Sequence, residues 1–111
     1  MATYTNRNDE EIIYMPGDFK LLVSMDAISG YNLSDSDVDF KCTFYTNNNR
    51  RKVLRKSEMI EGTEGNYIAP LHSTDIGKGV LNVLLEVDIP DDDFVDVRHE
   101  AVVIPTNLKI K

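Results

Sequence analysis

The sequence has 111 residues, 41% hydrophobic and 28% charged, with a formal net charge of −7 at pH 7. That length suits about one domain, and the composition is too apolar for global disorder. The acidic balance disfavours non-specific nucleic-acid binding. No apolar run approaches the roughly 18 residues that span a bilayer, so no membrane association is expected. A lone cysteine, Cys42, excludes an internal disulfide and a cysteine-based zinc site. The polar start, MATYTNRNDEE, has no apolar signal core, so synthesis in the cytoplasm, or residence in a particle assembled there, is the expectation.

Residues 1–9 are polar and aperiodic and read as a flexible arm ahead of a single domain at residues 10–111. Glu11 to Met15 reads as a first strand at a sheet edge, ended by the Pro16-Gly17 turn signal. In FKLLVSM, the residues Phe19, Leu21, Val23 and Met25 share one face, which is the period of a half-buried strand. DAISGYNLSDSD is a loop by composition. The cleanest alternation follows: Val38, Phe40, Cys42 and Phe44 point one way, and Asp39, Lys41, Thr43 and Tyr45 the other. TNNNRR supplies a reversal, since Asn tolerates left-handed backbone, and KVLRKSEMI reads as the return strand. EGTEGN is a turn, and YIAPL a short strand with Pro70 at its end or at an edge. HSTDIGKG is a bend. In VLNVLLEVDI, five apolar residues from Leu81 to Ile89 form one continuous face, the mark of a central strand. PDDDF is a loop, VDVRHEAVVIP a strand with Val95, Val97, Ala101 and Val103 alternating, and TNLKIK a short tail. Seven or eight short strands with turns every 8–12 residues or about that, and no sustained helical period, predict an all-β fold. An antiparallel immunoglobulin-like β-sandwich is expected, with a small open barrel as the alternative.

Chemistry-bearing clusters are few. Asp35, Asp37 and Asp39 copy the first ligand positions of a calcium loop, but Phe40 replaces the required glycine and Thr46 the bidentate acid. Asp91, Asp92, Asp93 and Asp96 form a second acidic cluster that reads as solvated. No metal and no cofactor are therefore expected. Cys42 lies on an aromatic face and reads as an inert buried thiol. His72 and Asp75 are near enough in sequence to hydrogen-bond, but no nucleophile elbow or phosphate loop accompanies them, so no catalytic residue is assigned. The one basic cluster, Arg50, Arg51, Lys52, Arg55 and Lys56, has no interleaved aromatic for base stacking. It reads as a docking patch for an acidic protein surface, or as a charged hairpin that resists strand addition. Tyr31, Tyr45 and Tyr67 fall near strand ends, where tyrosines either cap a core or line a sugar-binding surface.

MPGDFKLLVSM, LSDSDVDFKCTFYTNN and GNYIAPLHSTDIGKGVLNVLLEVDIPDDDF together resemble the β-sandwich domains of tailed-phage structural proteins. The kinds in question are the N-terminal domain of baseplate upper proteins and the head-fibre or auxiliary capsid domains of Bacteroides phages and prophages. The matching positions are Gly17-Asp18, Asp37 to Thr46, Leu71 to Leu81 and Pro90 to Phe94. The resemblance implies a non-enzymatic virion protein: an auxiliary capsid (decoration) or head-fibre component that docks on a major capsid or fibre protein and allows homo-oligomerisation. A carbohydrate-binding module or a baseplate or tail adhesion module is the alternative.

Overall fold

The structure, a computed structural model, describes residues 11–25, 27, 30–48, 50–62, 65–95 and 97–111. The arm assigned to residues 1–9 lies outside the described residues. Among the described residues, eight strands run in chain order: β1 (Glu11–Ile13), β2 (Asp18–Ser24), β3 (Asp39–Tyr45), β4 (Arg51–Arg55), β5 (Ile60–Glu61), β6 (Asn66–His72), β7 (Gly79–Ile89) and β8 (Arg98–Ile110). One helical turn, α1 (Ser73–Ile76), joins β6 to β7. The fold is all-β, in two sheets. The larger has the order β1-β8-β7-β3-β4 and the smaller β2-β6-β5. Every pairing is antiparallel except β1 with β8, which is parallel from Glu11↔Leu108 to Ile13↔Ile110.

The alternation of the sequence explains where the core lies. Leu81, Val83, Leu85, Val87 and Ile89 face inward from β7, and Phe40, Cys42 and Phe44 from β3, all buried. The smaller sheet answers with Leu21 and Val23 from β2 and with Tyr67, Ala69 and Leu71 from β6. Phe40 and Tyr67 meet edge to face across the two sheets, ring centroids 5.0 Å apart. Each such large side chain contributes about 1.5–3 kcal/mol of burial, so the two inner faces hold the fold together without a disulfide.

Three expectations change. The return strand over KVLRKSEMI stops at Arg55, because Leu54 and Met59 are both buried but five residues apart. On one continuous strand that odd spacing puts them on opposite faces. A 3-10 turn at Lys56–Glu58, closed by the Glu58 carboxylate accepting from Arg55 N–H at 3.0 Å, restores the phase and carries the chain to β5 in the other sheet. The bend after β6 is a helical turn that buries Ile76. It ends at Gly77 with φ +93°, where a Cβ would collide with the Asn48 side chain. Finally, VDVRHEAVVIP and TNLKIK are one 13-residue strand that begins only at Arg98. Its inward residues are Thr106, Leu108 and Ile110, with Ile104 half-buried, whereas Val95, Ala101 and Val103 are exposed. Pro70 sits inside β6 but past the last residue paired to β5, so its position is locally an edge, as expected.

Candidate docking surface

Strand geometry divides the basic cluster. Arg51, Val53 and Arg55 stand opposite Tyr45, Thr43 and Lys41 and share the outer face of the larger sheet, while Lys52 and Leu54 stand opposite the inward-facing Phe44 and Cys42. Arg50 turns away, and its Nη1 donates to the Thr74 carbonyl at 2.9 Å. The Lys56 ammonium donates to the carbonyls of Asp35 and Val38 at 2.8 and 2.6 Å, pinning the loop before β3. Arg51 lies 5.8 Å over the Tyr45 ring. Of the five, Arg51 and Arg55 come together on one face, and Lys41, from β3, joins them.

The other sequence candidates resolve as follows. Asp35 accepts from Asn32 N–H at 2.9 Å, and Asp39 accepts from Phe40 N–H at 2.9 Å. Among the described residues, no three His, Cys, Asp or Glu side chains converge to hold a metal ion. Asp91 pairs with Arg98 at 3.0 Å and also accepts from Asp93 N–H, and Asp96 lies outside the described residues. Cys42 is fully buried, and burial pushes its thiol up to about 12. His72 pairs with Asp18 across the β2–β6 ladder at 2.7 Å and not with Asp75 in its own turn. That hydrogen bond, helped by the Asp18 charge, raises the imidazole above its ordinary range. Tyr67 is in the core, Tyr31 packs half-buried against it, and Tyr45 lies under Arg51.

The registers of four strands fix the outer face row by row. One row runs Arg51, Tyr45, Asn82, Pro105; the next Val53, Thr43, Leu84, Val103; the next Arg55, Lys41, Glu86, Ala101. A last, shorter row is Asp39, Asp88, His99. The two lower rows enclose a hollow of about 230 Å³, with Lys41 and Arg55 towards β4 and Glu86, Asp88 and Glu100 towards β8. Lys41 and Glu86 approach to 3.9 Å, and His99 pairs with Asp88. Charges of both signs around a shallow hollow suit recognition of another charged surface.

Beyond this face, the β7–β8 hairpin carries its own apolar surface. Val102 and Val103 point to opposite faces of β8 yet are 41% and 55% exposed, and Phe94 and Val95 at the loop are exposed too. Among the described residues, pairing on the outer side of β8 is confined to Leu108–Ile110. Sequence reasoning missed both features. Lys41, Glu86 and His99 alternate correctly for an outward position, but nothing local says that β3 and β7 are neighbours. No family model matches the chain, and no match is found among curated proteins or solved structures.

Proposed function

We propose that this chain is a non-enzymatic structural component of a tailed-phage virion, an auxiliary capsid or head-fibre protein built on an immunoglobulin-like sandwich. The strand order supports that finer fold. With β2, β6 and β5 as strands B, E and D, and β8, β7, β3 and β4 as G, F, C and C′, the two sheets follow the order of that architecture. The inter-sheet disulfide and the tryptophan of antibody domains have no counterpart in a chain with one cysteine and no tryptophan. Phe40, Phe44 and Tyr67 are buried between the sheets.

The observation that carries the assembly role is the distal hairpin. An edge strand with valines exposed on both faces, ending in a loop that exposes Phe94 and Val95 among its aspartates, is a surface that soluble proteins ordinarily blunt with lysine or cover. It serves a protein that docks by its edges and loops and needs no reactive centre. The resemblance of residues 15 to 105 to phage virion domains names the kind of particle.

Sedimentation of particles from producing cells tests this, with antibody labelling of the chain in electron micrographs. Label on capsids or fibres is expected, and it should be reduced by the pair Val95→Asp and Val102→Asp without loss of the circular dichroism of the fold. A chain that stays entirely in the supernatant refutes the assignment.

A further inference from the structure

We propose that the outer face of the larger sheet pairs with the same face of a second copy of this chain, about a two-fold axis parallel to the strands. This goes beyond the virion assignment and stands without it. The face is divided by charge. Its β3–β4 half carries Lys41, Arg51 and Arg55, with Asp39 at the rim, and its β7 strand carries Glu86 and Asp88. The hollow beside Ala101 is lined by the carboxylates of Asp39, Glu86, Asp88 and Glu100 against Lys41, Arg55 and His99, so acids outnumber bases. It therefore favours a cation from outside. Between the charges runs the row Val53, Thr43, Leu84, Val103, whose two valines are 42% and 55% exposed at its ends.

A two-fold axis along the strands lays β4 of one copy over β8 of the other, and β3 over β7. Row then falls on row. Val53 meets Val103, Leu84 lies over the largely buried Thr43, Lys41 meets Glu86, and Arg55 comes down over Ala101 at the acidic hollow. Every favourable contact occurs twice, as an isologous interface requires. The alternative two-fold, across the strands, stacks β4 on β4 and sets arginine against arginine. The cost of the chosen arrangement is Asp39 over Asp88 at the rim, where His99 already hydrogen-bonds Asp88. Four strands about 4.8 Å apart make a small contact surface, so the dimer is weak and salt-sensitive.

Sedimentation velocity from micromolar to millimolar concentration tests it. The wild type is expected to dimerise, less so as sodium chloride is added. Lys41→Glu and Glu86→Lys should each weaken association at least tenfold. Mixed together, these two variants should recover a heterodimer: the introduced carboxylate of one faces the introduced lysine of the other, and the second contact remains native. A monomer throughout the range, a dimer indifferent to both substitutions, or a mixture without recovery overturns the proposal. Dilution of isotope-labelled wild type gives an independent readout that needs no variant. Concentration-dependent amide shifts should map to Val53, Leu84 and Val103, and shifts confined to the smaller sheet would exclude this face.

Discussion

At the scale of single residues, the sequence resolves best where burial decides the chemistry. Cys42 was readable as inert because two aromatics flank it at the strand period, and it lies fully buried between the sheets. His72 was harder. Its nearest acid in sequence is Asp75, but its partner is Asp18, 54 positions away, because β2 and β6 pair in the register Asp18↔His72. Long-range register leaves no local trace. The pairing has a measurable consequence. The hydrogen bond to Asp18 raises His72 above 6.5, so the protonated ring favours the folded state. That stabilisation is complete below pH 6.5 and is lost as pH rises through the folded midpoint. An NMR titration of His72 should show a midpoint above 6.5 that returns towards it in Asp18→Asn. The stability difference between the two proteins should be largest in mild acid, where the ring is protonated and the carboxylate still ionised, and vanish in alkali. Identical midpoints would show that the contact is not kept in solution.

Among the elements, the strands with unbroken alternation, β2, β3 and β7, stand where the period of two puts them. β8 did not, and Thr106 explains why. The inward series Ile104, Thr106, Leu108, Ile110 contains a polar residue and is interrupted by Pro105, while the adjacent Val102, Val103 and Ile104 blur the period. Sequence reasoning therefore divided one strand into two pieces. The structure shows what the polar residue does. Thr106 Oγ1 donates to the Leu81 carbonyl at 2.8 Å and accepts from Leu108 N–H at 3.1 Å, inside the core, next to the register shift between Val80 and Asn82. A hydroxyl meets the backbone groups that the irregular ladder leaves over. Thr106→Val keeps the shape and removes both bonds, which should cost about 1–3 kcal/mol in urea unfolding. Val103→Ala, exposed on the same strand, should change stability by less than about 0.5 kcal/mol. Equal effects from the two would mean that the hydroxyl carries no structural role.

For the whole molecule, charge acts in two opposite directions. With 19 acidic and 12 basic side chains the net charge is −7, and its self-repulsion works against the compact state. The outer face, by contrast, sets cations beside anions and depends on their attraction. Its ion pairs are exposed, so little of the monomer's stability rests on them. Added salt, with a screening length of about 8 Å at physiological strength, therefore relieves the repulsion inside each copy and weakens the attraction between copies. The melting temperature of a dilute, monomeric sample should rise with sodium chloride. In a domain of this size each kcal/mol corresponds to about 4–8 °C, so a rise of a few degrees is expected. In the concentrated sample the same titration should lower the weight-average mass. Opposite signs in the two measurements separate an electrostatic interface from a hydrophobic one, because apolar burial alone would strengthen, or hold steady, in both. A mass that grows with salt would assign self-association to the valines of the distal hairpin and leave the charged face solvated.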